Sequence, residues 1–358
     1  MLSFAAFLAK HHIRDEVIAV AVSGGADSLA LVLAAAAELK VYGQRVVALT
    51  VDHGLRPASA AEAAYVAALM QQHGIEHHIL VWHKNPAQKI SEETARHARY
   101  ALLHEWCAAH HVGCLLTAHH LRDQAETFLL RLQRGSGLEG LCAMREVSTY
   151  NNLKILRPLL QVAPEELRAW LMAQNIRWCE DESNADQRYQ RNKIRAFLPQ
   201  LAAHTGITPA KLAAAAHNLQ SAESFIAEQV EKTLAQQVTS ETGGVLHFAY
   251  TDYLSWHPEL KFRLLARFCQ RDYIPRAERV LSLIARLNKL PFNGATLGEK
   301  AIVWADNRVW IIPQMPAKHQ PSRQLWQEFV AQNPAYKNRK VPHKARLTIL
   351  QSWRNNAI

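Results

Sequence analysis

Apolar runs and helical patterns alternate along the first third of the chain. The runs are VIAVAV at 17–22, RVVALTV at 45–51, HHILVW at 77–82 and CLLTA at 114–118. After each comes a stretch in which apolar side chains recur every three or four residues, predicting helices from Asp27 to about Lys40, Ser59 to His73, Ser91 to about His110 and Arg122 to Arg134. Strands that are apolar throughout need cover on both faces. Four successive strand–helix units of this kind predict an α/β fold with a doubly wound parallel sheet, in which ligands lie beyond the C-terminal ends of the strands. The loops at 23–28, 52–57 and 118–127 therefore carry the most information.

Beyond Gly140 the pattern loosens. Pro164 is placed to open a helix running to about Ala173, and a second helix is expected to end near Pro199. Residues 208–238 are rich in Ala and Gln with helical spacing, and AIVWADNRVWIIP at 301–313 has the form of a hairpin. Together with 358 residues at about 150 per domain, this predicts a catalytic domain at 1–205, a helical connector at 206–240 and a smaller C-terminal α+β domain at 241–358.

Charge sharpens that division. Residues 1–200 hold 21 Lys+Arg and 20 Asp+Glu, whereas 201–358 hold 20 and 11, so nearly all of the +10 formal charge is in the rear part. Residues 317–358 carry eight basic side chains and only Glu328 as an acid. A near-neutral front joined to a basic rear is expected when one domain does chemistry and another grips a phosphate backbone. No stretch approaches 18 uncharged apolar residues, so no membrane association is expected. The five cysteines contain no C-x-x-C, and the first residues lack an export signal, so the expected setting is a reducing cytoplasm. A homodimer is compatible with the sequence.

The strongest chemical signal is Ser23-Gly24-Gly25-Ala26-Asp27-Ser28, directly after the first strand and at the start of its helix. Two glycines let the backbone approach a phosphate chain, the serines offer hydroxyls, and the helix presents unpaired N–H groups. Asp27 would repel bare phosphate, so its useful role there is to hold a magnesium ion that bridges phosphate oxygens. The segment is neither G-x-x-x-x-G-K-[ST] nor a three-glycine dinucleotide loop.

After the fourth strand comes Thr117-Ala118-His119-His120-Leu121-Arg122-Asp123-Gln124-Ala125-Glu126-Thr127. Asp123 and Glu126 lie on one helical face and can hold one cation between them, either a metal or a substrate ammonium group, or they can simply complement the helix N-terminus. The loops after strands one and four are neighbours at the switch point of a doubly wound sheet.

SGGADS resembles the PP-loop of the N-type ATP pyrophosphatases. With Val51-Asp52-His53-Gly54-Leu55-Arg56-Pro57, AHH-x-x-DQAET, RGSGLEGL, Arg157-Pro158-Leu159-Leu160 and the segment Asp181-x-Ser183-Asn184-x-Asp186-x-x-Tyr189-x-Arg191-Asn192-x-x-Arg195, residues 17 to about 200 resemble the tRNA(Ile)-lysidine synthetase family. One departure is Arg122, where that family commonly has an acidic residue.

The resemblance implies a ligase that uses ATP and Mg2+ to join free L-lysine to C2 of cytidine 34 in a tRNA(Ile) with a CAU anticodon, through an adenylated base. It implies that Ser23, Gly24, Gly25, Ala26, Asp27 and Ser28 bind ATP-Mg, with Asp27 on the metal. Asp123 and Glu126 match the family's lysine-handling positions. Arg96 and Arg99 match a segment with an arginine near the nucleotide, Arg99 being favoured, and His53 overlooks the same crevice. The rival readings are another PP-loop tRNA-modifying enzyme, such as a thiolase, and a tRNA-binding protein that has lost catalysis. The absence of C-x-x-C speaks against the first, and the presence of Asp27, Asp123 and Glu126 against the second.

Overall fold

The computed structural model describes residues 3–54, 59–83, 92–180, 188–270, 275–314, 323–336 and 339–356. Leu55, Arg56 and Pro57, and Asp181, Ser183, Asn184 and Asp186, lie outside the described residues. Two compact units divide the chain, Met1–Glu223 and Ser224–Ile358.

The first unit contains, in order, α1 (Phe4–Lys10), β1 (Val17–Ala21), α2 (Ala26–Leu39), β2 (Arg45–Asp52), α3 (Ser59–Gln72), β3 (Glu76–Val81), α4 (Glu92–Ala109), β4 (Cys114–Leu116), α5 (Leu121–Gln133), α6 (Leu138–Leu141), β5 (Val147–Tyr150), β6 (Leu153–Leu156), α7 (Pro164–Ala173) and α8 (Gln190–Thr205). Helix α9 (Pro209–Gln237) contains the boundary between the units. The sheet order is β3-β2-β1-β4-β6-β5, with only β5 antiparallel. Side chains alternate between two cores. Ile18, Val20, Val46, Ala48 and Leu116 meet Leu29 and Leu31 of α2, Val66 and Met70 of α3 and Leu167 and Leu171 of α7 on one face. Ala19, Val47, Leu49 and Leu115 meet Leu103 and Cys107 of α4 on the other. Cover on both faces is why β1, β2 and β4 are apolar; β3, at the sheet edge, departs from that expectation and leaves Ile79 and Val81 exposed.

Two expectations change. Helix α8 runs through Pro199 to Thr205 and ends at Gly206, whose left-handed φ of +69° supports a bond from its N–H to the Ala202 carbonyl. Strands β5 and β6 form a hairpin that the apolar pattern does not predict. Its signal is Asn151-Asn152, both at positive φ between the paired Tyr150 and Leu153, as a tight two-residue turn requires.

The second unit contains β7 (Thr239–Glu241), β8 (Val245–Ala249), α10 (Tyr250–Ser255), α11 (Pro258–Phe268), α12 (Ala277–Leu287), β9 (Ala295–Leu297), β10 (Lys300–Ala305), β11 (Arg308–Pro313), α13 (Arg323–Gln332) and α14 (His343–Asn356). Its sheet is antiparallel throughout, in the order β7-β8-β11-β10-β9, and the predicted hairpin is β10–β11. Val309 and Ile311 pack with α10–α12, while Trp310 and Ile312 pack with Phe329 of α13 and Ile349 and Leu350 of α14. The basic C-terminal segment is thus half of a core. No helix of the described residues is long and apolar enough to cross a membrane.

The half-buried carboxylate of Glu241, in β7, meets the segment between α13 and α14. It accepts bonds from His247 Nε2 at 2.9 Å, Arg339 at 2.7 Å and the Tyr336 hydroxyl. Burial alone would raise its carboxyl, but His247, Tyr336 and Arg339 outweigh that and bring it from 4.5 down to about 2. The stability this contributes, on the order of 3 kcal/mol, is present above about pH 4.5 and is lost as the pH falls toward 2. Hydrogen-exchange protection factors of β8 and β11 should therefore collapse over that interval. Glu241→Gln should start with lower protection at neutral pH and change less over the same range.

Candidate active site

Pairing of β1 with both β2 and β4 brings the loops after these three strands together at one end of the sheet. After β1, Gly24 takes a φ of +84°, and a Cβ there would lie 3.2 Å from Val66 and 3.5 Å from the Cys179 sulfur. Both the conformation and the close approach require glycine. The Cys179 N–H bonds the Gly24 carbonyl at 2.9 Å and holds the loop from behind. Ser28, buried, accepts the Ser23 N–H at 3.1 Å and donates to the Gly25 carbonyl at 2.9 Å. Its hydroxyl therefore shapes the loop, whereas Ser23 is exposed and available to a phosphate. Gly25 is the N-cap of α2 and makes no side-chain capping bond, so the first-turn N–H groups of the helix, from Ala26 onward, suit an anion.

Asp27 lies in that first turn. Its Oδ1 is buried and has no hydrogen-bond partner among the described residues, and its Oδ2 lies 3.5 Å from His120 Nε2. A buried carboxylate oxygen left unmatched is costly unless a cation completes it. No group of three or more His, Cys, Asp and Glu among the described residues is arranged to hold a metal. A single carboxylate with a free oxygen beside a phosphate cradle instead fits magnesium, which keeps waters and takes substrate phosphates as ligands.

After β4, His120 caps α5. Its Nδ1 accepts the Asp123 N–H at 3.3 Å while Asp123 Oδ2 accepts the His120 N–H at 3.0 Å. Burial would lower the His120 imidazole, but its bond with Asp27 and the nearby Asp123 charge raise it. Half-buried His119 goes the other way, down to about 3. Burial is the main cause; the Asp123 charge opposes it, the charges of Arg157, Arg191 and Arg96 act with it, and the ring is neutral.

The i, i+3 spacing does place Asp123 and Glu126 on one face of α5, and two arginines of α8 occupy that face. Arg191 donates to Glu126 Oε2 and to Asp123 Oδ1, each at 2.6 Å, and Arg195 donates to Glu126 Oε1 at 2.7 Å. Glu126 is completely buried behind them. Burial would raise the Asp123 carboxyl, but His120 and Arg191 hold it below its ordinary value.

Farther along the same end, Arg99 donates to His53 Nε2 at 3.4 Å and His53 meets Trp82 edge-on. Arg96 lies over the Tyr100 ring at 5.1 Å. Arg122 pairs instead with Glu165 in the first turn of α7, which gives this departure a structural use. Gly135, at a φ of +66°, ends α5. Its N–H bonds the Leu132 carbonyl and that of Ser136 bonds the Arg131 carbonyl, so Gly135 closes α5, while Gly137 is the N-cap of α6.

His120 and the clasp formed by Arg191 and Arg195 were not singled out by spacing. Arg191 and Arg195 are four apart, as residues on one helical face must be, but their partners are more than sixty residues upstream.

Residues 3–202 match the PP-loop domain family. The chain is 40% identical over 269 residues to a tRNA(Ile)-lysidine synthase of Bradyrhizobium sp., covering 71% of this chain and 74% of that protein. It is 39% identical over 239 residues to one of Zymomonas mobilis, covering 66% and 70%, and 34% identical over 276 residues to one of Wolbachia pipientis, covering 75% and 64%. The chain thus spans less than two thirds of the length of some of these relatives. Among solved structures, the U34-tRNA thiolase NcsA of Methanococcus maripaludis matches with a TM-score of 0.50 at 16% identity, covering 57% of this chain and 71% of that one, a likeness of fold.

Proposed function

The chain belongs to the tRNA(Ile)-lysidine synthase family of PP-loop proteins, and from that premise we propose that it uses ATP to join free L-lysine to C2 of cytidine 34 in a tRNA(Ile) with a CAU anticodon. The observation that carries this reading is the placement of a phosphate loop and a carboxylate–arginine cluster against one imidazole, that of His120. An activated phosphate ester and an amine can meet there.

In the first step the cytosine O2 attacks the α-phosphorus of ATP and pyrophosphate leaves. Ser23 and the first-turn N–H groups of α2 hold phosphate oxygens, while Arg99, with His53 behind it, supplies positive charge. Magnesium, when bound, neutralises charge on the triphosphate, and Asp27 Oδ1 is the atom suited to hold it. In the second step the ε-amine of lysine attacks C2, the C2–O2 bond breaks and AMP leaves with that oxygen. The amine must first lose a proton, since its ordinary pKa is about 10.4. Asp123 is the acceptor we assign. Its oxygens retain lone pairs beyond the bonds to Arg191 and to the His120 N–H. Glu126 shares Arg191 and so keeps that guanidinium from neutralising Asp123 alone.

The thiolase alternative finds little support in the cysteines. None of the five forms a disulfide, and burial pushes Cys107 and Cys269 up to about 12, so those thiols stay protonated. The direct test is incorporation of radiolabelled lysine into transcribed tRNA(Ile) with a CAU anticodon, with the initiator methionine tRNA as control. Labelling should require ATP and be confined to the isoleucine tRNA. Pyrophosphate release without labelling would point to another nucleophile, and tRNA binding without pyrophosphate release to a protein that only binds.

The second unit is proposed to contact tRNA phosphates, with Lys340 and Lys344 as exposed cations. Deleting residues 317–358 would strip α13 and α14 from their sheet and so would not isolate charge. The double variant Lys340→Ala/Lys344→Ala should bind tRNA with a shallower salt dependence, the slope falling by about 0.7–0.9 for each phosphate that is no longer neutralised. An unchanged slope would place the phosphate-binding cations elsewhere.

A further inference from the structure

His120 joins the two halves of the site, yet the reaction as derived gives it no task. It is 6% exposed, and both ring nitrogens face carboxylates on different elements: Asp27 in the phosphate loop helix, Asp123 on α5. The hydrogen bonds fix its tautomer. Nδ1 accepts the Asp123 N–H, so in the neutral ring the proton sits on Nε2, the nitrogen that faces Asp27 Oδ2. At 3.5 Å that contact is at the outer limit of a hydrogen bond. The other oxygen of Asp27 is buried without a partner among the described residues.

We propose that His120 is a positioning residue for the nucleotide's divalent cation: by holding Asp27 Oδ2 through Nε2–H, it aims Oδ1 at the phosphate cradle. This rests on the reading of Asp27 as the magnesium-holding residue. A ligand side chain fixed by an outer partner loses less freedom on binding, and removing such partners typically weakens metal affinity by about 10- to 100-fold. The same ring caps α5 and therefore sets the spacing between the cation side and Asp123, so the phosphate and amine reactants meet across one imidazole.

Helix capping and aiming of Asp27 can be separated. Asparagine is a good N-cap and can accept the Asp123 N–H, but it is too short to span to Asp27 as well. His120→Asn should therefore keep the melting temperature near wild type, whereas His120→Ala should lower it. Mn2+ binding is read by electron paramagnetic resonance in the presence of α,β-methylene-ATP, without tRNA or lysine, so that no turnover is needed. We expect His120→Asn to weaken Mn2+ binding about 10-fold, with metal-free binding of the analogue unchanged. Wild-type Mn2+ affinity in His120→Asn, with Asp27→Asn impaired, would reduce His120 to a helix cap and overturn the proposal. Wild-type affinity in Asp27→Asn would overturn the metal assignment of Asp27, and with it this role of His120.

Discussion

Asp27→Ala is expected to abolish tRNA-dependent pyrophosphate release, lowering it by on the order of 10³-fold or more, while leaving the fold intact. Among the described residues the carboxylate has one polar contact, the long one to His120, and its other oxygen is buried without a partner. Removing a group that is poorly satisfied in the free protein costs little stability and relieves an unmatched buried oxygen. Its value lies in the loaded site, where the triphosphate and its cation must be held as negative charge moves toward the leaving pyrophosphate. A variant that melts at or slightly above the wild-type temperature, yet releases no pyrophosphate, is the expected pair of results. Pyrophosphate release within tenfold of wild type would remove Asp27 from the nucleotide site.

Glu126→Gln should separate the two steps. Adenylation is expected to stay within about threefold of wild type, while lysine transfer falls by at least about 100-fold, chiefly through a higher KM for lysine. With Glu126 neutral, Arg191 no longer shares its charge between two carboxylates, so its bond to Asp123 tightens and the ammonium must compete with it. Alanine is the wrong probe here. It would leave two guanidinium groups against a buried void, and removing one partner of a buried ion pair costs about 3–5 kcal/mol, so loss of activity would report unfolding. Single-turnover assays that resolve adenylated tRNA from lysine-bearing tRNA give the readout. Equal loss of both steps in Glu126→Gln would contradict the division of roles.

The parallel sheet was legible because β1, β2 and β4 are buried on both faces, and edge strand β3 still reads as an apolar run although Ile79 and Val81 are exposed. Apolar runs and turn residues therefore marked β1, β2, β3 and β4 to within one or two residues of the observed ends. The β5–β6 hairpin was missed because its turn is Asn-Asn rather than a pair containing glycine. Pro199 misled because proline usually ends a helix, yet α8 carries it internally. In the site, spacing found Asp123 and Glu126 because both are on one helix. It could not find what neutralises them, since Arg191 and Arg195 arrive from another helix and pairing across that distance leaves no periodic trace. Ser28 shows a subtler limit. A hydroxyl in a phosphate loop has the right chemistry for the ligand, and only coordinates reveal that its proton is given to the Gly25 carbonyl.

The strand order also carries a kinetic consequence. Ile18 pairs with Val46 on one side of β1, a nearby partner, whereas Ala19 pairs with Leu115 on the other. Loop-closure entropy makes the distant pairing the slower one to form. During synthesis the phosphate loop can exist beside β2 well before β4 and His120 have emerged to complete the crevice. On the proposed function, a nucleotide–metal complex that needs His120 to hold Asp27 is bound best by chains in which β4 has docked, so the substrate itself favours completion of the sheet.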